Sequence, residues 1–142
     1  MVDVGEKAVT ARRAVAEATV RMDESTRNRL FTGDLPKGDA VATVRIAAIQ
    51  GAKETSSLVP LCHPIFVESL TVEVEPVAVG ATITVTATVT AKTGVEMEAM
   101  TGAAIGAVAL YDMIKGIDRG AVIHSIRLLE KSGGRSGVWR RE

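Results

Sequence analysis

The ten residues Ala81 to Thr90 read ATITVTATVT, with an apolar side chain at every odd position and threonine at every even one. Period two belongs to a strand with one face against a core and the other toward water, and Val, Ile and Thr suit such a strand. Just upstream, Leu70, Val72 and Val74 alternate with Thr71, Glu73 and Glu75, and the segment PVAVG (76 to 80) supplies turn residues between the two runs. Together they predict an antiparallel hairpin. Further out, Ala16, Ala18 and Val20 alternate with Arg13, Glu17 and Arg21, so Ala14 to Met22 is read as a first strand. A last strand is expected from Ala121 to Glu130, with Val122, Ile126 and Leu128 on one face and His124 sharing it as a core histidine.

Three helical stretches fill the gaps. A short one is expected from Asp23, as N-cap, to Thr32, closed by Gly33. A second follows Pro36-Lys37-Gly38-Asp39, is capped by Asp39, and carries Val41, Val44, Ala48, Ile49 and Ala52 on a broad apolar face. The third opens on Thr93-Gly94-Val95-Glu96, read as a capping box, and runs to about Asp118 before Gly120. The order β-α-α-β-β-α-β predicts an α+β, ferredoxin-like antiparallel sheet with helices packed on one face. No repeat or linker interrupts it, and residues 1–142 are read as a single domain.

Composition narrows the function. Seventeen basic residues balance seventeen acidic ones and aromatics are only 3%. That balance speaks against nucleic acid or an anionic membrane as partner, and leaves few stacking platforms for bare bases. The single cysteine forms no internal disulfide, and MVDVGEKAV lacks the basic-then-apolar pattern of a secretory leader, so a cytoplasmic location is expected. The apolar run Ala99 to Leu110 is shorter than the ~20 residues of a membrane span and is read as a buried helix.

Four places could carry chemistry. Pro60-Leu61-Cys62-His63-Pro64 sets the only cysteine beside one of two histidines. A metal site is set aside, because zinc sets need more ligands than one Cys and two His provide. A nucleophilic thiol needs an oriented base. What remains is a rigid loop wall with His63 as a proton donor or acceptor, or equally a stiff turn without function. Asp112 and Lys115, three apart on the long helix, form either an acid/base pair with a buried Asp or, the reading spacing favours, a surface ion pair. Glu98 opens a nearly apolar helix, where a carboxylate must pair or act. KSGGRSG (131 to 137) is a glycine-rich loop able to cradle phosphate, or a flexible polar tail. With Lys37 ahead of a helix N-terminus, loop cations in a neutral chain suggest a phosphorylated small molecule.

The motifs KGD (37 to 39), IAAIQGAKETSSLVPLCHP (46 to 64), KTGVEMEAMTG (92 to 102), YDMIKGIDR (111 to 119) and LLEKSGGRSG (128 to 137) span almost the whole chain. In this order they resemble the MoaC family, the cyclic pyranopterin monophosphate synthases of molybdenum cofactor biosynthesis. The resemblance implies a lyase acting on a cyclised dihydro-GTP, ribose C3′ joined to purine C8, supplied by a radical SAM enzyme, with release of pyrophosphate. It implies a homohexamer, a trimer of dimers with the pocket at the dimer interface, and no cofactor. Carried over by motif, Asp112, Lys115 and Lys37 would be catalytic. Leu61, Cys62, His63, Met97 and Glu98 would line the substrate, and Arg12, Lys131 and Arg135 would meet phosphates. The alternative is a ligand-binding regulatory module without turnover. Two departures stand out: Arg135 replaces the family's lysine, keeping charge but unable to give up a proton at neutral pH, and AAIQGAK (47 to 53) has its glycine at 51 instead of 48, for which local helix repacking is expected.

Overall fold

The computed structural model describes residues 1–142 and contains nine elements. They are β1 (Thr10–Arg21), α1 (Glu24–Thr32), α2 (Ala40–Lys53), α3 (Thr55–Leu58), β2 (Ser69–Val77), β3 (Gly80–Ala91), α4 (Glu96–Ile114), β4 (Val122–Ser132) and β5 (Trp139–Arg140). The strands form one antiparallel sheet in the order β2-β3-β1-β4-β5. The predicted α+β, ferredoxin-like arrangement is the one found; α3 and the two-residue β5 are additions.

The hairpin forms as the alternation requires. Val77 pairs with Gly80 across Ala78 and Val79. Val72 and Val74 of β2 and Ile83, Val85, Ala87 and Val89 of β3 are buried, while the threonines of β3 lie on the other face. Ala14, Ala16, Ala18 and Val20 of β1 continue that buried face.

Helices α2 and α4 pack on this surface and on each other. Alanine and glycine at the contact set the distance: a Cβ on Gly102 would meet the Ala48 carbonyl, and one on Gly106 the Ala48 methyl. At Gly51 a Cβ would overlap Ile105, so the glycine shifted along α2 makes room for a branched side chain of α4. Helix α4 is long and apolar enough to cross a membrane by length and composition. Here it is the core helix, burying Ala99, Ala103, Ala107, Leu110 and Ile114 against the sheet. Each large side chain so buried contributes about 1.5–3 kcal/mol.

Several expectations need correction. Asp39 caps α2, accepting from the Ala42 N–H at 2.9 Å, but Asp23 makes no side-chain cap; instead its own N–H donates to Asp118 Oδ2 at 2.9 Å. The capping box at Thr93 does not form. Val95 takes the N-cap position and Glu96 is the first helical residue, its carboxylate lying over Gly94 where a Cβ would otherwise sit. The helix ends at Ile114, whose carbonyl accepts from the N–H of both Ile117 and Asp118.

Strand β4 is the largest correction. Ile126 and Leu128 share a face, opposite Ala18 and Ala16, but Val122 does not lie on it. Register shifts fall opposite Val15/Ala16 and Thr19/Val20, so Ile123 pairs with Val20 while Val122 pairs with Arg21 and is exposed. Each extra residue flips the parity of the side chains beyond it. His124 is such an extra residue; it is exposed, with its Nε2 3.1 Å from Arg21 Nη2, and is not a core histidine.

Candidate functional site

Three groups of polar side chains stand out. The first is built by the end of β4, the loop after it and the start of β1. Gly133, Gly134 and Gly137 adopt φ values of +94°, +72° and +63°, a left-handed region open mainly to glycine. The loop passes so close to β1 that a Cβ on Gly133 would strike the Ala11 carbonyl and one on Gly134 the Arg12 guanidinium. KSGGRSG is thus a packed wall. It borders a cleft of about 470 Å³ lined by Lys7, Ala8, Thr10, Arg12, Gly134, Arg135 and Ser136, three cations and no carboxylate. Lys131 reaches this wall through Ser136 Oγ. Arg12 Nη2 donates to the Lys92 carbonyl at 3.2 Å, whereas Arg12 Nε and Thr10 Oγ1 are buried without a protein partner. An unpaired buried donor costs about 1–3 kcal/mol, which an anion in the cleft can recover.

The second group lies where the PLCHP loop faces the start of α4. Leu61, Cys62, His63, Met97 and Glu98 line one cleft of about 320 Å³, together with Val2, Val4, Lys7, Thr93, Gly94 and Glu96. Glu98 is only 4% exposed. Burial raises its pKa above the ordinary carboxylate value; its own backbone N–H opposes the rise and the charge of Glu96 adds to it. Burial, then the nearby Glu98 charge, push the Cys62 thiol upward as well. A thiol held protonated is a poor nucleophile, and a carboxyl group with a raised pKa can exchange a proton closer to neutral pH than an ordinary one.

The third group is at the far end of α4. Lys115 Nζ lies 2.7 Å from Asp112 Oδ1, and Lys37 Nζ, from the turn before α2, lies 2.7 Å from Asp112 Oδ2. Asp112 is half exposed, in the surface ion pair that spacing favours over a buried acid, so pairing sets its state. The hydrogen bonds from Lys115 and then Lys37 lower its pKa to about 2, and Asp112 in turn raises that of Lys115. At neutral pH the carboxylate is charged and holds the Lys115 and Lys37 side chains against its two oxygens.

Eight of the residues singled out from sequence thus fall into two groups, five around Glu98 and three around Asp112, and Arg12, Lys131 and Arg135 meet at the glycine loop. The ends of α4 do not meet within one chain: Glu98 and Asp112 are fourteen residues apart on one helix, ~21 Å along its axis. Lys7, which lines both clefts, was missed. It sits in an irregular N-terminal segment, where only its charge five residues before Arg12 could have pointed to it. No group of three or more His, Cys, Asp or Glu is arranged to hold a metal ion.

A ferredoxin-like sheet bordered by a cationic cleft, a half-apolar cleft with a buried carboxyl, and a paired Lys-Asp-Lys group defines an α+β protein equipped to hold a small anionic molecule. The chain belongs to the MoaC family, whose model matches residues 1–134. It is 48% identical over 140 residues, 99% of this chain and 89% of the relative, to a protein of Novosphingobium aromaticivorans named cyclic pyranopterin monophosphate synthase. A regulatory module without turnover is not favoured.

Proposed function

We propose that the chain is a cyclic pyranopterin monophosphate synthase, a lyase of molybdenum cofactor biosynthesis. It converts a cyclised dihydro-GTP, delivered by a radical SAM enzyme, to cyclic pyranopterin monophosphate and pyrophosphate. The observation that carries this reading is the gathering of Leu61, Cys62, His63, Met97 and Glu98 around one cleft that shares Lys7 with the cationic cleft. The purine-derived part fits the first and the phosphates the second. Opening the purine ring and closing the pyran need proton transfers, for which Glu98, His63 and the Lys37-Asp112-Lys115 group are suited. Arg12, Arg135 and Lys131 neutralise the leaving pyrophosphate.

One substrate served by both ends of α4 requires two chains. The reading therefore includes a two-fold dimer in which Glu98 of one subunit and Asp112 of the other share a pocket, three such dimers making a hexamer. It operates in the cytoplasm and calls for no cofactor. The test is to incubate the purified protein with the cyclised dihydro-GTP and assay pyrophosphate: stoichiometric release supports the assignment, and binding without release removes it.

A further inference from the structure

We propose that Lys7 is a substrate-binding residue that holds the α-phosphate, the phosphoryl group at the junction between the base and the outer phosphates. This rests on the function proposed above. Lys7 is the only residue common to the linings of the cationic cleft and the Glu98 cleft. A nucleoside triphosphate derivative lying across both must pass it, and the group midway between base and terminal phosphates is the α-phosphate. The segment carrying Lys7 is fixed in place. Lys92 Nζ donates to the Gly5 carbonyl at 2.6 Å, the Gly5 N–H to Asp3 Oδ1 at 2.8 Å, and the Lys7 N–H to the Val4 carbonyl at 3.1 Å. The ammonium group itself is exposed and makes no hydrogen bond within the chain, so it is free to meet a ligand.

The chemistry at this position uses a cation. When the cyclic phosphate forms, a substrate hydroxyl oxygen bonds to the α-phosphorus and gives its proton to a base. The α–β bridging P–O bond breaks, and its electron pair leaves on pyrophosphate. Lys7, at the α-phosphate, steadies the charge on the non-bridging oxygens and on the departing oxygen without changing its own protonation.

The experiment compares wild type, Lys7→Gln and Lys7→Arg by calorimetry with guanosine, GMP and GTP as probes, and by pyrophosphate release from the cyclised dihydro-GTP. Lys7→Gln should weaken GMP and GTP about tenfold or more and leave guanosine within about twofold, because only a phosphate contact is lost. Lys7→Arg should recover most of the loss, which a merely structural role would not produce. GMP affinity unchanged in Lys7→Gln, or equal losses for GMP and guanosine, overturns the proposal, as does a wild type that binds no nucleotide. If wild type binds GTP yet releases no pyrophosphate, the reaction assigned above fails while the calorimetry still decides the role of Lys7.

Discussion

Lys37 Nζ lies 2.7 Å from Asp112 Oδ2, across 75 residues of chain, and turns what spacing reads as a surface ion pair into a carboxylate with an ammonium on each oxygen. Two cations on one acid hold each other's geometry only while the acid is charged. Asp112 titrates at about 2, lowered, and Lys115 is raised. The depressed acid holds the group together above its unfolded pKa and releases it as pH falls toward 2. The raised Lys115 contributes below its unfolded pKa and is lost as pH rises past its folded one. Across the neutral range Asp112 and Lys115 are both charged.

Asp112→Asn should therefore lower turnover about a hundredfold or more, the scale of general acid/base catalysis, with little loss of fold. Removing the charge that raises Lys115 should also make that amine easier to deprotonate. Acetylation of Lys115 by a water-soluble ester, followed by peptide mass mapping, should run faster in the variant. Unchanged turnover would free Asp112 of a catalytic part, and unchanged acetylation would mean the ion pair does not govern Lys115.

Glu98 gives the opposite sign. A buried acid whose pKa is raised in the fold costs nothing below its unfolded pKa and penalises the folded state as pH rises through the folded pKa. Glu98→Gln should raise Tm at pH 7.5, by about 2–4 °C for each kcal/mol of relief in a chain of this size, and the gain should shrink toward pH 4. Activity should fall in the same variant. A lower Tm at pH 7.5 would show that the carboxylate makes a stabilising contact when charged.

The parts of this fold that were legible are those whose geometry is local. In ATITVTATVT each residue's face follows from its neighbour, and Asp39 needs only the next turn to act as a cap. Strand β4 was misread because its parity is set by two bulges opposite β1, a tertiary choice that a single strand does not encode. Thr93 and Glu96 have the right spacing for a capping box, yet Val95 took the cap position once Gly94 let the Glu96 carboxylate fold back. At the site, the PLCHP loop and Glu98 stand out by residue type, whereas Met97 and the grouping of all five residues are reached only through motif resemblance. The pairing of Lys37 with Asp112 is a contact no spacing rule reveals, and Lys7 lies outside any regular element.

The glycine loop offers a direct probe of the cationic cleft. At Gly134 the backbone is left-handed and a Cβ would meet the Arg12 guanidinium, so Gly134→Ala must displace that side chain. It should cost about 1 kcal/mol in stability and weaken pyrophosphate binding about tenfold through the lost charge-assisted contact. Arg135→Lys, which keeps the charge in the same cleft, should bind pyrophosphate within about threefold of wild type. Calorimetry with pyrophosphate on both variants checks the pair; equal losses would point to loop distortion instead of Arg12.

Assembly provides the last prediction. Glu98 and Asp112 project from opposite ends of α4, ~21 Å apart along the axis, too far for one small substrate to touch both in one chain. Midway between them the outer side of the helix carries Ala104 and Val108, the latter 55% exposed, a small apolar stretch suited to a second copy. A two-fold axis there would set Glu98 of one chain beside Asp112 of the other and produce two equal sites. Refolding Glu98→Gln together with Asp112→Asn should then restore pyrophosphate release, because a mixed dimer has one site with both substitutions and one with neither. Random pairing makes about half of the dimers mixed, each with one intact site, so about a quarter of wild-type activity should return from two parents that are each nearly inactive. Mass spectrometry of the refolded material must show the mixed species. Mixed dimers present but inactive would mean that each site draws Glu98 and Asp112 from one and the same chain, and would end the shared-pocket reading.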